Sequence, residues 1–339
     1  MRSKSRLILT AGLIVGLMAM MTVPGNCTKT YELNYSIFFP ASHGNTILAT
    51  EWAKEIEKRT NGVVKINMFP GATLTPADQC YDGVVKGISD IGMSVLSYTR
   101  GRFPLTEVID LPLGYQDGLQ ATRLCNAFYK KFKPREFDDT QIMYLHAHGP
   151  GILHTKKPVS NLEEFKGMKI RCTGTTSKVV AALGATPVAM PQTETYDALQ
   201  KGVVEGVVSP IETLKGWKIG EVIGSTTENF GSSYTIVFFV AMNKKKWDSL
   251  PKDVQEIIEK VNEEWIDKTG KNWDELDKEG KAFTLARGNK VIPLSKEEDQ
   301  RWGNAVKPII QEYVKTMKEK NLPGEEALNF CVEWLKNNP

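Results

Sequence analysis

Arg171 is the residue whose type and setting point most directly to a ligand. It ends the segment Gly167-Met168-Lys169-Ile170-Arg171, which reads as a short strand. Thr173, Thr175 and Thr176 follow in a turn, and Ser177 opens a helical run closed by Gly184. A guanidinium at the carboxyl edge of a strand, beside hydroxyls and a helix start, presents a planar fork that fits a carboxylate through two bonds. The same spacing also allows an ordinary surface ion pair with Glu163 or Glu164.

A second group is His146, His148 and His154. The first two are two residues apart and share one face of a strand. Three imidazoles are a conceivable metal site, and with it a periplasmic metal-dependent enzyme. No Asp or Glu lies between Tyr144 and Ser160 to join them, so the plainer reading is polar residues lining a hinge or pocket wall. Other chemistries lack their signatures. There is no G-x-S-x-G elbow for a nucleophilic serine. Neither phosphate-binding glycine pattern, G-x-x-x-x-G-K-[ST] or G-x-G-x-x-G, is present. No cofactor is implied.

The elements that must position these residues alternate. Tyr31 to Phe39, Val63 to Phe69 and Asp90 to Leu96 read as strands, with helices over Asn45 to Arg59 and Pro76 to Lys86 between them. Such alternation argues for an α/β fold with substantially parallel sheet. Tyr81 to Ser94 (YDGVVKGISDIGMS) is echoed by Tyr196 to Ser209 (YDALQKGVVEGVVS), with Tyr, Asp, Lys, Gly and Ser at identical offsets. The echo reads as one helix–turn–strand unit used twice, its glycine ending the helix as a left-handed cap. Ligands of open α/β sheets sit outside the carboxyl ends of the strands. Two such units facing each other would bring Ser94 and Ser209 to opposite walls of one cleft.

Ile142 to His154 is an apolar run broken at Gly149-Pro150-Gly151, as a strand bending between two domains would be. Tyr234 to Met242 is a second long apolar strand that can carry the chain back. Pro251 to about Arg287 reads as a long charged helix with kinks expected at Gly270 and Gly280, followed by helices over Lys296 to Lys320 and Gly324 to Asn337.

The length and apolar content suit two packed domains. The 43 basic and 40 acidic residues nearly balance, and three of the bases, Arg2, Lys4 and Arg6, lie in the first six residues. No basic stripe for nucleic acid remains. Those bases precede the apolar run Leu7 to Val23, which ends at Pro24-Gly25-Asn26: the plan of a secretory signal peptide over residues 1–26, with a retained membrane anchor as the alternative. Export implies a periplasmic protein, with a lipid anchor conceivable at Cys27 although Asn26 replaces the small residue that a lipobox wants. In an oxidising compartment Cys80 and Cys125 are either bridged or two buried thiols. No C-x-x-C pattern supports a zinc or redox site.

Three motifs in order carry a resemblance. They are Lys166 to Arg171, a K-G-hydrophobic-K-hydrophobic-R strand; Leu183 to Pro187, L-G-A-x-P; and Tyr196 to Gly206, Y-x-A-L-Q-x-G-hydrophobic-V-[DE]-G. With TNGVVKINMFPGA in the first half and WDSLPKDVQEII before the long helix, the chain resembles the DctP-type solute-binding proteins of tripartite ATP-independent (TRAP) transporters over nearly its whole length. The resemblance implies a two-lobed, type II-like periplasmic-binding-protein fold with a long helix backing both lobes. It implies a first lobe of residues 30–148 plus 238–272 and a second of residues 149–237 plus 273–339. It also implies a small organic carboxylate as ligand, TRAP membrane permease subunits as partners, and no enzymatic activity. A ligand sensor on the same scaffold is the remaining alternative.

By the same resemblance Arg171 is the cleft arginine that pairs with the carboxylate. Gln192 and Ser209 (followed by Pro210) occupy pocket positions, and Ser94 stands in the wall after the first lobe's Asp-Ile-Gly strand. Gly151 stands where some members carry a second arginine, Ser209 where an asparagine is usual, and Gln192 where an aromatic is found. His43, Phe39, Trp217 and Tyr234 are then candidates for compensating contacts, and their aromatic character suits a flat ligand.

Overall fold

The computed structural model describes residues 29–339, so the signal-peptide and Cys27 expectations lie outside the described residues. The first region runs β1 (Tyr31–Ile37), α1 (Gly44–Arg59), β2 (Val64–Phe69), α2 (Cys80–Lys86), β3 (Ile91–Val95), α3 (Gly118–Phe132) and β4 (Thr140–Ala147). The second runs β5 (Gly151–Thr155), α4 (Leu162–Phe165), β6 (Lys169–Cys172), α5 (Thr176–Ala182), β7 (Thr186–Ala189), α6 (Thr195–Gln200), β8 (Gly206–Pro210), α7 (Thr213–Gly216) and β9 (Ser225–Glu228). The chain returns through β10 (Val237–Asn243), α8 (Lys244–Asp248) and α9 (Lys252–Ala286), and ends in β11 (Lys290–Pro293), α10 (Lys296–Glu319) and α11 (Gly324–Asn337).

These strands form two sheets, one per lobe. The first has the order β2-β1-β3-β10-β4, with β1, β2 and β3 parallel and β10 antiparallel to both its neighbours. The second has the order β11-β9-β5-β8-β6-β7, with β5 antiparallel to β8 and β9. Central strands such as β3 and β8 are buried along their whole length, which is why they read as continuous apolar runs.

Two crossings join the lobes side by side. β4 passes into β5 through His148, Gly149 and Pro150, and the chain re-enters the first sheet through Tyr234 to Ile236. The crossings are bonded to each other: Gly151 N–H donates to Tyr234 O at 2.7 Å, and the Thr235 hydroxyl donates to His148 O at 2.6 Å. Behind them lies α9, 35 residues long and about 52 Å in length at 1.5 Å per residue.

α9 is continuous through Gly270 and Gly280, where kinks were expected. These glycines instead permit close backbone approach. A Cβ on Gly270 would lie 2.7 Å from Leu119 Cα, and one on Gly280 would lie 2.2 Å from Ile211 O. The C-terminal helices contact both lobes. α10 packs on α5 of the second lobe, whereas α11 packs on α3 of the first. The cause is aromatic: Phe330 on α11 meets Phe132 and Phe128 of α3 at centroid distances of 5.6 and 6.4 Å.

All four cysteines among the described residues are free and buried. Cys80 lies beneath β1 and β3, its thiol directed at Ser36 O and Met93 O, while Cys125 lies on α3 near Cys331. Burial pushes the Cys80 thiol up to about 12.

Candidate ligand-binding site

The strand ends converge. Phe38 and Phe39 follow β1, Val95 ends β3 and Tyr98 lies just beyond it, Arg171 and Thr173 stand at the end of β6, Gln192 follows β7, and Ser209 and Pro210 end β8. With His148, Tyr234, Ile236 and Phe238 from the crossings, and Glu212, Thr213 and Trp217 beyond β8, they line a cleft of about 380 Å³, part of it open to solvent. The topology accounts for this placement, since both sheets present their carboxyl edges to the interlobe cleft.

The two lobes contribute different chemistry. The first supplies mainly aromatic surface: Phe38 contacts Phe39 at 4.1 Å and stacks on Phe238 at 6.2 Å between centroids. The second supplies Arg171, Thr173, Gln192, Ser209, Glu212 and Thr213, all buried. Trp217 crosses the cleft to stack on Phe38 at 5.7 Å. Opposite, the Tyr98 hydroxyl accepts from Gln192 N–H at 2.9 Å, and Ser97 faces Thr173 at 3.5 Å. The lobes therefore touch on both sides of the cavity.

Arg171 is only 3 % exposed. Its Nε and Nη2 donate to one carbonyl, Met190 O, at 3.1 and 2.9 Å, and it has no ion-pair partner among the described residues. The surface ion-pair alternative fails because its proposed partners are engaged elsewhere. Glu163 pairs with Arg301 at 2.7 Å, and Glu164 accepts from Ser160 N–H at 2.7 Å. A buried guanidinium without a counter-ion is costly, and an incoming carboxylate removes that cost.

Two further buried polar atoms in the cavity wall have no partner: Gln192 Nε2 and His148 Nε2. Desolvation holds the His148 imidazole down at about 4, and the nearby Arg171 charge acts in the same direction. Desolvation also raises the Tyr98 and Tyr234 phenols, with Arg171 opposing in both cases.

Of the residues expected at the site, Arg171, Gln192, Ser209, Phe39, Trp217 and Tyr234 line the cavity. Ser94 does not. Its hydroxyl donates to Ala77 O at 2.6 Å, and strand alternation turns the next residue, Val95, to the cavity instead. Gly151 is also outside the wall. A Cβ there would lie 2.6 Å from the Tyr234 ring, so Tyr234 fills the space that a side chain at Gly151 would take. His43 forms a second layer: its Nε2 is 3.0 Å from Glu212 Oε2, and its ring lies 4.4 Å from that of Phe39.

The three histidines do not converge. His146 Nδ1 accepts from Trp273 Nε1 at 3.0 Å behind Phe238. His154 sits in the second sheet between Thr226 Oγ1 at 2.9 Å and Ser209 O at 3.1 Å. No group of three metal-ligating side chains occurs among the described residues.

Residues 35–316 match the family described as bacterial extracellular solute-binding protein, family 7, also called DctP. The chain belongs to this family. A TRAP periplasmic solute-binding protein from Desulfovibrio salexigens, in an open complex, superposes with a TM-score of 0.80 at 34% identity, covering 91% of this chain and 96% of that one. A TRAP solute-binding protein from Rhodoferax ferrireducens, in complex with copurified benzoate, has a TM-score of 0.85 at 27% identity, over 91% and 98% of the two chains. The C4-dicarboxylate-binding periplasmic protein DctP of Vibrio cholerae is 26% identical over 300 residues, 85% of this chain and 87% of its own.

This solute-binding protein thus has the two-lobed α/β fold of its TRAP relatives. Its cavity also contains residues that sequence reasoning missed. Phe38 and Tyr98 follow strands whose ends were already marked as cleft edges, so the carboxyl-end rule could have found them. Glu212 and Thr213 lie just past Ser209-Pro210. His148 was read as lining a hinge or pocket wall or as a metal ligand, and not as a neighbour of Arg171, because its burial there depends on the crossing strands.

Proposed function

We propose that this TRAP solute-binding protein captures an aromatic monocarboxylate between its lobes and delivers it to membrane permease subunits, without chemically altering it. The observation that carries this reading is the buried Arg171, lacking a carboxylate partner, at the end of a cavity walled by Phe38, Phe39, Trp217, Tyr234 and Phe238. The guanidinium pairs with the carboxylate while the rings stack on an apolar, flat body. Benzoate in the Rhodoferax ferrireducens relative supports the aromatic class. One arginine suits one carboxylate. Gly151, where a second arginine would stand, is covered by Tyr234.

Binding works by closure. The lobes rotate about the two crossings, and the contacts of Tyr98 with Gln192 and of Trp217 with Phe38 seal the cavity. Exclusion of water then strengthens the ion pair at Arg171.

A thermal-shift and calorimetric screen of the exported protein against benzoate, phenylacetate and succinate tests this reading. A ligand at 100 times its Kd adds about 2.7 kcal/mol of stability. The expected result is a clear shift with the aromatic acids, a weaker one with succinate, and a strongly reduced one in Arg171→Ala. Tighter binding of succinate than of either aromatic acid would overturn the aromatic assignment. Uptake of the bound acid by cells carrying the matching permease, absent without this protein, tests delivery.

A further inference from the structure

The cavity wall specifies more than a carboxylate and a ring. His148 is 1 % exposed and lies in the crossing between β4 and β5. Its Nδ1 is in hydrogen-bond contact with the carbonyl oxygen of Gly149. A carbonyl oxygen only accepts, so Nδ1 carries the proton. The imidazole is neutral, because burial disfavours the charged form. Nε2 is therefore a bare lone pair.

That lone pair has no partner in the protein. The rings packed against His148 are those of Tyr234, Phe238 and Trp273, at 5.7, 6.2 and 6.1 Å between centroids. His146, two residues earlier, provides the contrast. Its Nδ1 accepts from Trp273, so its proton sits on Nε2, and it does not line the cavity. Two histidines two residues apart are thus held in opposite tautomers by their neighbours. The one facing the ligand space is the acceptor.

We propose that His148 is a specificity-determining residue: its Nε2 accepts a hydrogen bond from a hydroxyl of the ligand, so the cavity prefers hydroxylated aromatic carboxylates to the unsubstituted acids. The inference rests on the carboxylate reading of the cavity and deepens it. Arg171 and Gln192 Nε2 offer donors for the carboxylate oxygens, and His148 offers the complementary acceptor. A buried acceptor left empty penalises a ligand without a donor, which is how a site discriminates a hydroxyl from a hydrogen.

Calorimetry with matched probes tests it: benzoate against its three hydroxybenzoates and their methyl ethers, and phenylacetate against mandelate and the hydroxyphenylacetates. A methyl ether keeps the oxygen but loses the donor. At least one hydroxy acid is expected to bind about 10- to 100-fold more tightly than both its parent acid and its methyl ether. His148→Leu should remove that preference, so that the parent acid binds at least as tightly as its hydroxy derivative. His148→Gln, which restores an acceptor oxygen, should recover part of it. Equal binding of every hydroxy acid and its parent in the unmodified protein overturns the proposal, and would mean that a buried water satisfies Nε2. A preference that survives in His148→Leu also overturns it. In both cases binding of the parent acids leaves the carboxylate reading standing, whereas no binding of any acid defeats both.

Discussion

The two copies of the helix–turn–strand unit have diverged at one end only. In each, a glycine with φ of +74° follows the helix, Gly87 after α2 and Gly202 after α6. In each, the acid three residues later holds the neighbouring strand. Asp90 Oδ2 accepts from Asn34 N–H at 2.8 Å, and Glu205 Oε2 accepts from Lys169 N–H at 3.0 Å. The serines that end the echo then part company. Ser94 is tied to Ala77 O, whereas Ser209 shares a 2.8 Å hydrogen bond with Thr213 and lines the cavity. The repeat conserves the turn and its strand cap, which are backbone requirements. It does not conserve which side chain meets the ligand, because that depends on where each sheet edge faces the cleft. The first lobe consequently offers rings and the second offers polar groups.

The largest test of this asymmetry is Arg171→Ala. Loss of the second lobe's cation should weaken binding of a carboxylate such as benzoate by about 2–5 kcal/mol in calorimetry. Next, Ser209→Ala should weaken the same binding by about 1 kcal/mol. Ser94→Ala should leave affinity unchanged and instead lower stability by about 1 kcal/mol in denaturant unfolding. Equal effects of the two serine variants on affinity would break the comparison.

The shared part of the repeat makes its own prediction. Gly87→Ala and Gly202→Ala should each cost about 1–2 kcal/mol of stability, since both place a Cβ in the left-handed region. Unequal costs would show that the two turns are not equivalent.

A pH-dependent effect concerns how α9 grips each lobe. Asp274 Oδ1 accepts from Gly118 N–H in the first lobe at 2.7 Å, and Asp277 Oδ1 accepts from Glu212 N–H in the second at 2.9 Å. Desolvation and the neighbouring Glu212 charge raise Asp277 to about 8. A carboxyl raised above its unfolded value of 3.8 binds its proton more tightly in the folded state. Its contribution is therefore complete below about pH 4 and is lost as pH rises through about 8. The melting temperature of Asp277→Asn, relative to the unmodified protein, should rise steadily over that interval. A flat difference would place Asp277 in a solvated setting.

Much of the fold was legible because it is written in local pattern. The alternation of strands and helices, the break at Gly149 to Gly151 and the two turn glycines all register within a few residues. Arg171, Gln192 and Ser209 were legible because each ends or follows a strand inside a recognisable motif. Ser94 was misplaced by the same reasoning, since a repeat predicts backbone position but not which face is turned to a partner sheet. The purpose of Gly270 and Gly280 was misread for a related reason. A glycine in a helix signals either weakness or proximity, and only the tertiary contacts with Leu119 and Ile211 distinguish them.

Those two glycine seats carry a geometrical consequence. They lie roughly 15 Å apart along one rigid rod, on sides that differ by roughly 80° around its axis. Each lobe's backbone presses directly into its seat, so the angle between the lobes is recorded as helical phase. Inserting a single residue between Gly270 and Gly280 would turn one seat by about 100° relative to the other without altering any contact inside either lobe. The mutual orientation of the two halves of the trap is thus counted out in residues, like the thread of a screw.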